Sequence, residues 1–357
     1  MLDKIKNSLK TRKVDAVLVS SHANITHLTG YSNFSKEERE AYLFITEDAQ
    51  YLLTDGRYTE AVKKVVAHFE LIEVSSTLSH KEALKNLAEK HGVVILGIEE
   101  DSLTVSEFKV IKKIAKKVKS FRVSEHRTIK TLDEIEKIER ACDLADKTFE
   151  FILGKIKPGK TEKELAFEME NFMRQNGAVP SFETIVAFGP NAAIPHHHTG
   201  DDILGQENNL ILMDFGCKVD NYCSDITRVV FLGKASIEQK KVYSIVNEAH
   251  NKAVEYLKSS KLPVDSQKVD EIARKYIDSK GFPPYSHGLG HGVGIEVHEF
   301  PRLSMKSKDK LLPGMVFSIE PGIYLPGQFG VRIEDLYVLE ENGIRALTKS
   351  PKEIIQV

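Results

Sequence analysis

Six of the 13 histidines fall in two short stretches, His196, His197 and His198 in one and His287, His291 and His298 in the other. A single histidine is usually a polar surface or core residue, but this clustering marks a place to look for chemistry. Four carboxylates add to it. In the apolar run 209–216 (NLILMDFG), Leu210 and Leu212 share a strand face with Asp214, because side chains alternate with period two. A carboxylate there is expensive to bury unless it is paired or bound to a metal. Asp225 follows after a polar turn, 217–222, and precedes another apolar strand, so a hairpin would bring the two aspartates together. The run 315–320 (MVFSIE) ends in Glu320, and after a Pro- and Gly-rich turn, 321–330, the run VRIE carries Glu334 back. Four converging carboxylates repel one another without cations, and two divalent ions would neutralise them. The neutral ligand is expected in SHGLGHGVGIEVHE (286–299), whose glycines disfavour a helix and permit close backbone approach. The spacing of His287 and His291 is therefore not the helical H-E-x-x-H zinc motif. In an extended chain these two point the same way, and His298 reaches the site from another position.

The elements that must hold these residues fall into two regions. Residues 1–125 alternate short strands with helical patterns and read as a small α/β domain. Strands are expected at 14–19, 71–74 and 93–98, with a hairpin from 41–45 and 51–53. A lysine-rich helix is expected over 104–118, with Val110, Ile111, Ile114, Ala115 and Val118 as its apolar stripe and its lysines on the solvated face. From 126 to 357 the pattern changes. A capping box at Thr131 and Glu134 opens a long helix ending near Gly154, and a second box at Thr161 and Glu164 opens another ending at Gly177. Strands at 183–188, 209–215 and 223–232 follow. The pattern then repeats, with a helix opened by Ser236 and Gln239, a helix over 265–280, and strands at 284–287, 315–320 and 331–339. Two similar α+β halves facing each other, with a site between their sheets, are the expected architecture.

Composition bounds the function. The 357 residues carry 50 basic and 52 acidic side chains, a balance that argues against nucleic acid or an anionic membrane as main partner. No apolar run reaches membrane-spanning length. The first ten residues, charged and amphipathic, read as unexported. Cys142, Cys217 and Cys223 are too few and scattered for a disulfide framework, which fits a reducing cytoplasm.

Taken together, IPHH (194–197), MDFG (213–216), SDITR (224–228), HGLGHGVGIEVHE (287–299), SIEPGIY (318–324) and GVRIED (330–335) resemble the pita-bread metallopeptidases, specifically the aminopeptidase P and Xaa-Pro dipeptidase (prolidase) group. The resemblance spans the chain, and residues 1–125, with TDGRY at 54–58, are similar to the creatinase-type N-terminal domain of those proteins. It implies an α+β protein whose domain 126–357 is a duplicated pita-bread catalytic domain. It also implies five metal ligands, Asp214, Asp225, His291, Glu320 and Glu334, with Asp225 and Glu334 touching both of two ions. Such a hard, oxygen-rich set suits Mn²⁺, with Co²⁺ and Zn²⁺ left open. Glu320 would be the general base, His298 would stabilise the tetrahedral intermediate, and His196 would act from the proline-side loop, with the choice among His196, His197 and His198 open. His287, Arg302, Arg332 and Tyr324 are the expected substrate-side residues, Arg302 as a receiver of a dipeptide carboxylate; for Arg332 a salt bridge within the site is an equal alternative. The resemblance further implies cytoplasmic, homodimeric enzymes acting on proline-containing di- or oligopeptides. A creatinase-like amidinohydrolase and a catalytically silent binding protein on the same fold are the alternatives.

Overall fold

In the first unit the strand Ala16–Val19 is buried at every position. Ala16 and Leu18 pack into one apolar cluster, and Val17 and Val19 into another. That is the signature of a strand covered on both faces. The computed structural model, which describes residues 1–205 and 209–357, places this strand inside a six-stranded mixed sheet. The order is Glu70–Val74, Gln50–Asp55, Ala41–Thr46, Ala16–Val19, Ile95–Ile98, Lys117–Ser120. The chain divides into two compact units, Met1–Arg127 and Thr128–Val357.

The expected helix over 104–118 is corrected. Thr104 and Glu107 form a capping box, but the helix spans only Val105–Ile111, and Lys117–Ser120 is a strand paired in parallel with Ile95–Ile98. Most of the stripe still faces the core, since Ile111 is buried there and Ile114, Ala115 and Val118 pack beside it, while Val110 is exposed. Sheet pairing delivers that burial in place of continued helix.

In the second unit the helices Leu132–Leu153, Glu162–Gln175 and Ile237–Ser259 begin at the capping boxes read from sequence, and Ser266–Ser279 follows. Two sheets carry the site. One has the order Ile355–Gln356, Ile226–Phe231, Leu210–Phe215, Ile185–Phe188; the other has Glu299–Leu303, Gly290–Gly292, Val316–Ile319, Asp335–Glu340, Gly343–Ala346. Each half thus lays a helix pair and then three strands that neighbour one another antiparallel in its sheet, so the α+β duplication is visible. An isolated bridge between Thr227 and Glu334 joins the sheets.

Three strand expectations change. No strand forms at 284–287, where Pro283 and Pro284 lack the N–H a ladder needs; the strand is Gly290–Gly292. The run 223–232 divides into Tyr222–Cys223 and Ile226–Phe231. The run 331–339 divides into Phe329–Arg332 and Asp335–Glu340. Asp225 and Glu334 therefore sit in strand interruptions, free to turn out of the pleat. Cys142, Cys217 and Cys223 are buried and form no disulfide among the described residues.

Candidate metal centre

Asp214 leaves the strand Leu210–Phe215 beside Asp225, because residues 210–215 pair with 226–231 and Asp214 lies opposite Thr227. Across the sheet junction, the main-chain N–H of Glu334 donates to the Thr227 carbonyl at 3.2 Å. Its carboxylate accepts from the Thr227 hydroxyl at 2.6 Å. His291 is held between two glycines. A Cβ at Gly290 would fall 2.0 Å from the Ser318 carbonyl oxygen, and one at Gly292 would fall 2.1 Å from that of Phe300. Only glycine lets the neighbouring strands approach this closely, which is what the glycine-rich run is for. Glu320 follows the strand Val316–Ile319 and accepts from the Ser318 hydroxyl at 3.3 Å.

The side chains converge. Ligand atoms of Asp214, Asp225 and Glu334 lie within 4.8 Å of one another, as do those of His291, Glu320 and Glu334, and those of Asp225, His291 and His298. Asp225 is 4% exposed, His291 7% and Glu334 2%. Asp214 Oδ1, Asp225 Oδ1 and Glu334 Oε1 are buried without any hydrogen bond. Leaving such oxygens unpaired is costly, and here all three belong to carboxylates of one cluster.

His291 sharpens the point. Its Nδ1 lies 3.3 Å from the Gly292 carbonyl, which can only accept, so Nδ1 carries a proton. Nε2 then faces Glu320 Oε1 at 3.2 Å and Asp225 Oδ2 at 3.6 Å. A bare lone pair against two carboxylate oxygens is repelled, so a proton or a cation belongs between them. Burial, then Glu334 and Asp214, push the Asp225 carboxyl well above the usual range. Burial, then Glu320 and Asp214, do the same to Glu334. Burial raises Asp214 too, against the pull of Arg332. Burial would also raise Glu320, but His291, with His287 and Arg332 behind it, outweighs that and holds Glu320 at about 2. Oxygen donors with one imidazole, buried orphan oxygens and mutual repulsion fit two hard divalent cations.

The cluster lies in a cavity of about 550 Å³, bordered by His196, His197, His198, His287, His298, Arg302 and Arg332 among others. His298 meets His291 edge to face, ring centroids 4.3 Å apart. Desolvation by the pocket walls, with His291 beside it, pushes His298 down to about 4, so it is neutral at physiological pH. The Arg302 guanidinium stands at the cavity wall without an ion-pair partner among the described residues; only its main-chain N–H is bonded, to Asp309. Arg332 is different, pairing with Asp214 while donating to the Thr227 hydroxyl at 3.1 Å, the Tyr324 hydroxyl at 2.9 Å and the Pro195 carbonyl at 3.3 Å. Tyr324 sits behind His287 and does not border the cavity. Burial, tempered by Arg332, pushes its hydroxyl up to about 12. His287 Nδ1 faces the Gly288 carbonyl at 2.7 Å, so its Nε2 accepts from the Tyr324 hydroxyl at 2.9 Å.

Two pairings passed over in the sequence also shape the site. Lys130 and Glu299, 1% and 4% exposed, form a buried ion pair at 2.6 Å next to His298. Glu162, the first residue of its helix, binds His197 at 2.8 Å. Nothing local signals either pairing, since the partners lie 169 and 35 residues apart.

Residues 136–341 match metallopeptidase family M24, and residues 1–135 match the creatinase/prolidase N-terminal domain. The chain is 37% identical over 359 residues to the Xaa-Pro dipeptidase of Pyrococcus horikoshii, covering 99% of this chain and 97% of that one. Among solved structures it is similar to the Xaa-Pro dipeptidase from Bacillus anthracis, with TM-score 0.92 and 32% identity over 100% of this chain and 99% of that one. The X-Pro aminopeptidase from Thermotoga maritima gives TM-score 0.86 and 36% identity over 97% and 98%.

Proposed function

The chain belongs to metallopeptidase family M24, and from that premise we propose that it is a two-metal exopeptidase hydrolysing the peptide bond before proline. The observation that carries the reading is the buried cluster of Asp214, Asp225, Glu320 and Glu334 around His291, with three orphan oxygens facing inward. These five residues would hold the ions. Mn²⁺ is the preferred occupant, because carboxylates outnumber imidazole and thiolate is absent from the set. When bound, the ions lower the pKa of a water and polarise the scissile carbonyl.

The residues do the rest. Glu320 accepts the water proton on its carboxylate and passes it to the leaving proline nitrogen. Neutral His298 donates to the carbonyl oxygen as charge develops there. His196, on the proline-side loop, contacts the same end of the substrate, and His287, set by Tyr324, lines the leaving-group side. Arg332 orients Asp214. The unpaired Arg302 guanidinium is suited to a free carboxylate, which favours Xaa-Pro dipeptides over longer peptides. Three buried cysteines without a disulfide among the described residues accord with a reducing cytoplasm. A homodimer completes the proposal, as does a creatinase-like domain ending near residue 125, a limit supported by the division after Arg127.

The test is a panel of an Xaa-Pro dipeptide, an Xaa-Pro-Xaa tripeptide and creatine with added Mn²⁺. Both proline peptides should be cleaved, the dipeptide best, and creatine left intact. Chelation should abolish activity and Mn²⁺ restore it. Asp225→Asn should lose two-ion binding; full activity in that variant or in the chelated enzyme refutes the assignment.

A further inference from the structure

The strand Ile185–Phe188 is the outer member of its sheet, and among the described residues no strand pairs with its free edge. Side chains take the place of one. The Val186 N–H donates to the Thr199 hydroxyl at 2.9 Å, which itself donates to the Thr184 carbonyl at 3.1 Å. The Phe188 N–H donates to Glu162 at 2.8 Å. The Glu162 side chain is fully buried. Its Oε1 accepts from Phe188 N and from Asn191 Nδ2 at 2.9 Å, and its Oε2 accepts from His197 Nε2 at 2.8 Å and from the Gly200 N–H at 2.8 Å. A carboxylate offers about four lone-pair positions, and all are used. It also lies in the first turn of a helix, where the dipole favours negative charge.

These donors span the segment 188–200, which carries all three adjacent histidines. A carboxylate oxygen only accepts, so His197 Nε2 carries the proton and is committed to Glu162. On the other side of His196, the Pro195 carbonyl accepts from Arg332 at 3.3 Å, and Arg332 holds Asp214. His196 is therefore gripped on both flanks, by Glu162 through His197 and by the carboxylate cluster through Pro195. We infer that Glu162 and His197 are positioning residues, a clamp that sets His196 against the metal cluster. The inference rests on the functional reading above, and it explains why one histidine of the triplet acts on substrate while its neighbour is structural.

The test compares Glu162→Gln, His197→Ala, His197→Gln and His196→Ala in the full chain loaded with Mn²⁺. Hydrogen exchange read by mass spectrometry should quicken across 186–200 in Glu162→Gln and His197→Ala. It should stay near wild type in His197→Gln, whose amide N–H can donate to the same oxygen. Peptides covering 210–231 and 316–340, and the content of bound Mn²⁺, should not change. On an Xaa-Pro substrate, Glu162→Gln and His197→Ala should lose about tenfold to a hundredfold in kcat/KM, as expected of a misplaced active-site group. His197→Gln should recover most of this. Adding Glu162→Gln to His196→Ala should cost nothing further, because the loop then has no imidazole to set. Unchanged exchange in Glu162→Gln, losses that multiply in the double variant, or wild-type activity in His196→Ala overturns the clamp. If Glu162→Gln fails to fold, His197→Ala, which removes one donor of four, decides by the same readings. A wild-type chain inactive on every proline peptide would refute the proposed function, and the exchange result would then decide the clamp alone.

Discussion

Replacing Thr227 by Val keeps the side chain's shape and removes its hydroxyl. That hydroxyl is fully buried, donates to Glu334 Oε2 at 2.6 Å and accepts from Arg332 Nε at 3.1 Å. The variant strands a carboxylate oxygen and a guanidinium N–H at once. A hydrogen bond to a charged group contributes about 1.5–3 kcal/mol, which corresponds to roughly tenfold to 150-fold in an equilibrium constant. Partners of metal ligands typically change metal affinity by about 10–100-fold when removed, so the two scales agree. Mn²⁺ affinity, measured by competition with a chelator of known strength, should fall within that range. The control is Thr348→Val. Thr348 is equally buried, 2% exposed, and donates to Asp335 Oδ1 at 2.7 Å, one residue from Glu334. Asp335 keeps Arg228 and Lys352 as partners, so this variant should lower the unfolding midpoint and leave Mn²⁺ affinity unchanged. Equal metal affinity in Thr227→Val and wild type, or equal losses in both variants, would refute the reasoning that the hydroxyl aligns Glu334 for metal.

Arg302→Ala should raise KM for an Xaa-Pro dipeptide about tenfold or more, the scale of a charge-assisted hydrogen bond, and leave KM for the C-terminally amidated dipeptide unchanged; steady-state kinetics on the pair decides. Lys130→Met takes the buried ammonium away from Glu299 and should cost about 3–5 kcal/mol in unfolding free energy, with Lys130→Met/Glu299→Leu recovering most of it in urea titrations. A pH dependence belongs to the first unit. Burial would raise the Glu107 carboxyl, but Arg39 and Thr104 outweigh it and hold it at about 2. Its folded value is depressed below the ordinary value of about 4.3, so its stabilisation is complete above that value and is lost as pH falls toward about 2. Glu107→Gln should accordingly be less stable than wild type near neutral pH, with the gap closing in acid. A gap that widens in acid contradicts the sign.

The capping boxes at Thr131, Thr161 and Ser236 were legible because both partners lie within four residues of chain. The carboxylates were legible as chemistry, since Asp214 and Glu320 end apolar runs that have no other use for a charge. Their supports were not. The interruptions that free Asp225 and Glu334 exist because a strand from each sheet meets at the Thr227–Glu334 bridge, a contact spanning 107 residues. The helix expected through Val118 gave way to a strand because pairing with Ile95–Ile98 satisfies backbone and burial together, and period alone does not report a distant neighbour. Glu162, beside the capping box of Thr161 and Glu164, gave no signal of its own, although its carboxylate answers to amides 26 and 38 residues on.

The edge of the strand Ile185–Phe188 has a meaning apart from catalysis. A row of unmatched amides at the rim of a sheet is a template on which another chain can add a strand and aggregate. Here those amides are already spoken for by Glu162 and Thr199, and the histidine segment lies where an intruding strand would have to enter. Loosening that segment would expose a docking edge as well as misplace an imidazole. Selection for activity at His196 and selection for solubility of the whole chain therefore act on the same few hydrogen bonds.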